Sequence, residues 1–172
     1  MHAIVNFFIE LALLRRAPQD LPASTVLFWL VLTAALISGV MLAGSAGVQI
    51  MEGLEQTVMG FALMLGALYL ALNLVKRPQR FLQAATALLG VETLISLFAL
   101  LPVGLAGPVT ANAGAQAFAG LLFLALVGWS VLITGHILRH TFGISLIQGV
   151  AIGIGFDLLS YVIVGALTEG SL

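Results

Sequence analysis

Two carboxylates within apolar segments are the residues of this sequence best placed to do chemistry. Asp157 stands in the middle of "LIQGVAIGIGFDLLSYVIVGAL", and Glu92 stands in another apolar stretch. A charged Asp at the centre of a bilayer costs roughly 3 kcal/mol even on lenient insertion scales. Each acid therefore needs a hydrogen-bond partner, a bound cation or a proton. Because burial disfavours the charged form, we expect at least one of them to be neutral at neutral pH.

Polar side chains at similar positions along their segments could support these acids. A hydrogen-bonded network would stabilise the protein without further function, whereas a proton or ion relay would use the same groups for transport. Both hypotheses stay open on the sequence. The candidate supporting residues are Tyr69, Trp129, Ser130, Ser96 and Tyr161.

A pair of histidines is the next feature with possible chemistry. His136 and His140 lie four residues apart, a spacing that lets two imidazoles on one helix reach the same metal ion. A third ligand is not evident, and the neighbouring Arg139 would repel a cation. We therefore predict no metal site, and the sequence indicates no cofactor.

The sequence lacks the residue groups that mark common enzymes. It contains no Cys, which excludes thiol nucleophiles and thiolate metal sites. No Ser, His and Asp grouping and no phosphate-binding glycine loop is evident. We therefore predict that the protein is not an enzyme.

Composition defines the class of protein. Hydrophobic residues make up 61% of the 172 positions and charged residues only 8%. These values predict an integral membrane protein. The net charge of −1 provides no basic excess, so nucleic acid is not an expected partner.

Apolar runs predict the helices that carry these acids. A membrane-spanning helix needs about 20 apolar residues, because lipid cannot satisfy backbone polar groups. Five runs fit, so the expected fold is all-α, a bundle of five transmembrane helices within residues 21–172. The predicted spans are 24–44, 57–75, 81–104, 116–137 and 146–167. "GLAGPVTANAGA", between the third and fourth, predicts an exposed loop.

Residues 1–20 predict a separate cytoplasmic segment. His2, Asn6 and Glu10 repeat every four residues, which indicates an amphipathic helix lying on the membrane. Pro18 and Pro22 favour a break before the first span. The expected contacts with the lipid interface are Phe7, Phe8, Arg15 and Arg16.

Basic residues indicate the orientation. They occur before span one, between spans two and three, and between spans four and five, whereas Glu52, Glu55 and Glu169 lie at the other ends. The positive-inside rule then predicts a cytoplasmic N-terminus, an external C-terminus and an odd number of spans. The basic residues are Arg15, Arg16, Lys76, Arg77, Arg80 and Arg139.

This orientation places the two acids in one layer. Spans three and five run in the same direction, and Glu92 and Asp157 each lie eleven residues past the predicted start. At 1.5 Å per residue, both are roughly 16 Å deep. They could share a proton, hold a cation between them, or bond to different helices.

Small residues predict close helix packing. Gly149 and Gly153 form a GxxxG step in span five. Such a step serves either packing within the bundle or contact with another membrane protein or a second copy.

The overall pattern resembles a known family. An N-terminal segment with "RRAPQDLP", five spans and the closing pair "LLFLALVGWSVLITGHILRHTFGISLIQGVAIGIGF" are similar to the bacterial branch of the Yip family of Rab-interacting membrane proteins. The resemblance implies five helices, a cytoplasmic N-terminus and a location in the bacterial inner membrane. The "DLYGP" signature of eukaryotic members is absent here, so no trafficking function is carried over.

Two functions follow as hypotheses. The first is a membrane organiser or accessory scaffold that acts through lipid and helix contacts, with the N-terminal segment inserted in the cytoplasmic leaflet. Its partners would be membrane lipids and a membrane protein or a second copy. The alternative is a small proton- or ion-coupled transporter or channel that uses Glu92 and Asp157.

Overall fold

The computed structural model describes residues 2–106 and 113–169, and the side chains of residues 4–106 and 113–166. Within these residues the chain is helical and contains no strand. Five helices are long and apolar enough to cross a membrane, which confirms the predicted all-α polytopic bundle. The helices are α1 His2–Ala12, α2 Thr25–Ser45, α3 Ile50–Leu74, α4 Phe81–Ala106, α5 Ala113–Phe142 and α6 Leu146–Glu169.

Some helix ends differ from the predicted spans. Helix α3 begins at Ile50, seven residues before predicted residue 57, because its first turns carry Glu52 and other polar residues that tolerate water. Helix α5 continues past predicted residue 137 to Phe142. Pro102 lies inside α4 rather than ending it. The predicted loop at 104–115 falls partly outside the described residues.

Helix α4 is the centre of the bundle. It packs against α1, α2, α3 and α5, while α6 packs against α5 and α3. The run from Ala84 to Val91 is buried throughout. Small side chains such as Ala84, Ala85 and Ala87 let the neighbouring helices approach α4 closely.

Local sequence fixes the starts of α2 and α6. Ser24 caps α2, since its hydroxyl accepts a hydrogen bond from the Leu27 amide at 3.3 Å. Ser145 and Gln148 form a capping box before α6, in which each side chain accepts from the other's amide, at 3.2 and 3.0 Å. Gly143 ends α5 with a φ of 74°, a left-handed conformation that glycine adopts without strain.

The N-terminal helix α1 packs into the bundle, so the prediction that Phe7 and Phe8 face lipid is wrong. Phe7 is 9% exposed and Phe8 is 7% exposed, and both belong to the same hydrophobic core as residues of α4 and α5. The Phe8 ring lies directly over Gly90 of α4. Gly90 is nine residues past the start of α4, roughly 14 Å along its axis. Helix α1 therefore lies beside the middle of α4, not across its end.

The two arginines after α1 remain on the surface. Arg16 forms an ion pair with Glu10 at 2.7 Å, and its guanidinium lies 5.9 Å from the Phe7 ring centroid. Arg15 is exposed. Contact of either residue with lipid headgroups stays a prediction.

Candidate functional site

A cavity of about 510 Å³ between α3, α4, α5 and α6 is the candidate site. It extends from Val75 and Ile144, at the end of the bundle that carries most of the basic residues, towards the middle of the helices. Its volume lies in the range of small-molecule pockets. Among the described residues that line it, all are apolar except Glu92, Ser130, Thr134 and Asp157.

Helix starts set the level of the two acids. Helix α4 begins at Phe81 after a short turn, Pro78–Arg80, and α6 begins at Leu146 after the Ser145 cap. Glu92 and Asp157 each follow eleven residues later, which places both roughly 16 Å from those starts. The structure therefore brings together the two acids that the sequence placed in one layer.

The ionisable side chains described at this site are two carboxyl groups, Glu92 from α4 and Asp157 from α6. Two carboxylates that face one cavity repel each other. Among the described residues, no Lys, Arg or His lines the cavity. Both acids are exposed at the surface of the helix bundle. The arrangement can hold protons or a cation between two carboxyl groups, because a single shared charge relieves the repulsion.

One of the five predicted supporting residues lines the cavity. Ser130 does so, and its hydroxyl donates to the Val127 carbonyl at 2.8 Å. Tyr69 is 52% exposed and packs edge-on against Phe81, and Tyr161 is 81% exposed. Ser96 is buried and does not line the cavity. Tyr69, Ser96, Trp129 and Tyr161 do not line the cavity, and their support of the acids stays a prediction.

Trp129 has a different partner. Its Nε1–H donates to the carbonyl oxygen of Ala12 at 2.9 Å, so it holds the last residue of α1 against α5. The Ala12 carbonyl needs a donor because it lies at a helix C-terminus, where the carbonyls have no partner within the helix. Sequence offers no signal for such a side chain to backbone contact.

Thr134 is a polar lining residue that the sequence reasoning missed. It lies four residues after Ser130, so both fall on the same face of α5. This four-residue spacing is the feature of the sequence that could have identified Thr134 as a lining residue. Together the two hydroxyls bring polar groups from α5 to a cavity whose acids come from α4 and α6.

The two histidines lie at the basic end of the bundle, outside the cavity. Their rings meet edge-on with centroids 4.5 Å apart. The Nε2 atom of His136 lies 2.9 Å from the carbonyl oxygen of Arg16, so the protonated form of that nitrogen donates to it. Within the part of the chain that the structure describes, no group of three His, Asp or Glu residues is arranged to hold a metal ion.

Basic and amide side chains tie this end of the bundle together. Arg80 donates to the carbonyls of His140 and Thr141 at 3.2 and 2.8 Å, near the C-terminus of α5. Gln83 donates to the carbonyls of Gln19 and Leu21 at 3.2 and 2.7 Å. A cation at a helix C-terminus is favoured by the helix dipole. The Arg80 contacts position α4 against α5, and the Gln83 contacts position α4 against the segment that follows α1.

Glycines set the distance between α5 and α6. The backbone of Gly149 lies against the backbone of Gly135, and Gly153 lies against Thr134. A Cβ atom at Gly153 would come within 3.2 Å of the Thr134 methyl group. The GxxxG step thus faces α5 within the same chain, next to the cavity.

Comparison of the chain with family models, with curated proteins and with solved structures finds no match. The resemblance to the bacterial branch of the Yip family stays a prediction.

Proposed function

We propose that this protein is a small proton- or ion-coupled membrane transporter in which Glu92 and Asp157 carry the proton or cation. The observation that supports the proposal is the pair of acids on the wall of one cavity, at the level of mid-helix, without a basic side chain among the described residues that line it. Acids inside membrane helices are costly, and where they face a cavity they commonly mark ion pathways.

The geometry supports exchange rather than a continuous ion channel. Apart from the two acids and two hydroxyls, the lining that the structure describes is apolar, so a file of water along the whole cavity is disfavoured. The acids can be neutralised either by protons or by a bound cation. Competition between these two occupants couples the movement of one to the other.

Orientation is part of the proposal. With the basic residues inside, the cavity reaches the cytoplasmic end of the bundle, the N-terminus lies in the cytoplasm and the C-terminus outside. The bacterial inner membrane is the location we propose, in line with the resemblance to the Yip family.

Flux through proteoliposomes tests the proposal. Purified protein is reconstituted in vesicles that contain a pH-sensitive dye, and proton movement is followed after pH, Na⁺, K⁺ or organic-cation gradients are imposed. We expect wild-type vesicles to move protons faster than empty vesicles, and Glu92→Gln and Asp157→Asn to return the rate to that of empty vesicles.

A matched control uses an acid outside the cavity. Glu55 is exposed near the start of α3 and does not line the cavity, so Glu55→Gln should leave the flux unchanged. The proposal is wrong if folded Glu92→Gln and Asp157→Asn proteins retain the wild-type flux under every gradient that the wild type dissipates, or if the wild type dissipates none.

A membrane organiser or scaffold is the second candidate. One observation favours it: α1 keeps an exposed apolar side formed by Ile4, Val5 and Ile9, with Leu13 just beyond its end. This side, rather than Phe7 and Phe8, would contact lipid or a partner membrane protein. Replacing Ile4 and Ile9 by Ser should abolish vesicle deformation or partner binding under this hypothesis, and should leave both intact if the protein acts only as a transporter.

A further inference from the structure

We infer that the substrate of the cavity is a lipophilic monovalent cation, an apolar body that carries one fixed positive charge. This inference rests on the proposed function, since it assigns the occupant of the same site. It is carried by three properties of the cavity: its size, its apolar walls and the position of its acids.

Size argues against a bare metal ion as the occupant. A cavity of about 510 Å³ is far larger than one ion with its ligands, and it corresponds to an organic molecule. Hard cations such as Na⁺ or Mg²⁺ need several oxygen ligands around them. Here the described lining offers two carboxyls and two hydroxyls on a wall otherwise formed by apolar side chains.

The walls select an apolar body. Met64 and Leu68 from α3, Leu88 from α4 and Phe156 from α6 face the cavity. An apolar molecule there buries its surface against side chains of the same character. Phe156 and Met64 also suit a cationic organic group, because aromatic faces attract cations and Met adapts its shape to the ligand.

The acids select the charge. Glu92 and Asp157 approach the cavity from α4 and α6, and no basic side chain among the described lining residues neutralises them. An anion or an acyl chain would face two carboxyl groups without compensation. A single positive charge between them is favoured, and it excludes lipid anions of similar apolar size.

Proton exchange follows from the same contacts. When one monovalent cation binds, the O–H bond of one carboxyl group breaks, the proton passes to water and the cation balances the carboxylate that remains. Charge in the site is conserved. Because no other titratable side chain among the described residues of α3, α4, α5 and α6 lines the cavity, binding should weaken as the pH falls.

Equilibrium binding of tetraphenylphosphonium tests the inference. Full-length protein is placed in phosphatidylcholine nanodiscs, and bound radiolabelled probe is measured after subtraction of empty nanodiscs. Tetraphenylborate, an anion of the same shape, is measured in separate samples. We expect saturable binding of the cation only, weakened at least about tenfold by Glu92→Gln or Asp157→Asn.

A variant that fills the cavity provides a second, charge-independent measurement. Ala71 of α3 lines the cavity, so Ala71→Phe should abolish binding while both acids remain. Ala62 is exposed on α3 outside the cavity, so Ala62→Phe should bind as the wild type does.

The outcomes separate this inference from the proposed function. Equal binding of cation and anion, or cation binding that persists in Ala71→Phe and in Glu92→Gln, overturns the lipophilic cation while leaving proton or metal-ion flux to be judged in vesicles. Specific cation binding in nanodiscs without any flux in vesicles supports the site and overturns the transporter.

Discussion

Single glycines control how closely the helices around the cavity approach. Gly135 of α5 meets Gly149 of α6 backbone to backbone, and a Cβ atom at Gly135 would lie 2.9 Å from the Val150 nitrogen. Backbone atoms cannot move aside as the end of a flexible side chain can. A side chain at this crossing is therefore expected to separate α5 from α6, the helix that carries Asp157.

Gly135→Ala is expected to lower the free energy of unfolding by roughly 1–3 kcal/mol, the usual cost of overpacking. Gly128→Ala on the same helix is the control, because a Cβ atom there has no neighbour within 4 Å. Its stability should stay equal or rise slightly, since Ala favours helix over Gly. Thermal unfolding in detergent, followed by circular dichroism, measures both. Equal loss in the two variants would contradict the close crossing.

Helix α1 packs against a second glycine, Gly90 of α4. A Cβ atom at Gly90 would overlap the Phe8 ring, so Gly90→Ala should also destabilise the protein, by roughly 1–3 kcal/mol. Removing the Phe8 ring should relieve the overlap. We therefore expect Phe8→Ala combined with Gly90→Ala to lose less stability than the sum of the single variants, when unfolding is measured in detergent. Additive losses would show that the two residues do not touch.

The common level of the two candidate acids could be predicted from the sequence, but their surroundings could not. Glu92 and Asp157 stood out because charged residues are rare in apolar segments, and helix register gave their common level. Trp129 could not be assigned correctly, because its partner is the Ala12 carbonyl, 117 residues away, and any backbone carbonyl can accept such a bond. The position of Thr134 on the cavity face of α5 could have been predicted from its four-residue spacing to Ser130.

At the level of elements, helix α1 and the segment after it, residues 13–21, are held by hydrogen bonds as well as by packing. Trp129 donates to the Ala12 carbonyl, His136 contacts the Arg16 carbonyl, and Gln83 donates to the carbonyls of Gln19 and Leu21. These bonds run from α4 and α5 to the N-terminal segment. Loss of one of these donors should therefore loosen the part of residues 2–21 that it holds.

Trp129→Phe should make residues 2–21 exchange amide hydrogens faster while α4 and α5 stay protected. The change keeps an aromatic ring but removes the N–H donor, at a cost of about 1 kcal/mol. Hydrogen exchange with mass spectrometry in nanodiscs measures it. Trp29, the other tryptophan, is 59% exposed, so Trp29→Phe is the matched control and should leave exchange at residues 2–21 unchanged. Exchange that is equal in wild type and Trp129→Phe would contradict this anchoring role.

The misassignment of α1 has a physical cause. Its polar residues define only a narrow face, and apolar residues cover the rest of the helix. An apolar face is equally at home against lipid and against protein in a membrane, because lipid tails are as apolar as Leu. The periodicity of apolar residues therefore could not distinguish the side that packs inward, with Phe7 and Phe8, from the side that remains exposed, with Ile4 and Ile9.

For the whole molecule, the architecture could be predicted because two independent patterns agree. Hydropathy gives five segments, and the basic residues fall at alternate turns between them, as the positive-inside rule predicts for these five spans. The arrangement of the helices around α4 could not be predicted, since it depends on which small residues meet. Gly135 against Gly149 is an example in which neither residue's partner is visible in the sequence.

The orientation across the membrane can be tested with single cysteines, because the chain has none of its own. Gln49, before α3, and Gln79, before α4, are exposed at opposite ends of α3. The positive-inside rule predicts that Gln79→Cys faces the cytoplasm beside Lys76 and Arg77, and that Gln49→Cys faces outward. In intact bacterial cells that express each variant, a membrane-impermeant maleimide should label Gln49→Cys, and should label Gln79→Cys only after lysis.

The reverse pattern would invert the protein and turn the cavity outward, and labelling of both in intact cells would show that α3 does not cross the membrane. Only the predicted pattern lets the cavity take its occupant from the cytoplasmic side, since it reaches the end of the bundle formed by Val75 and Ile144.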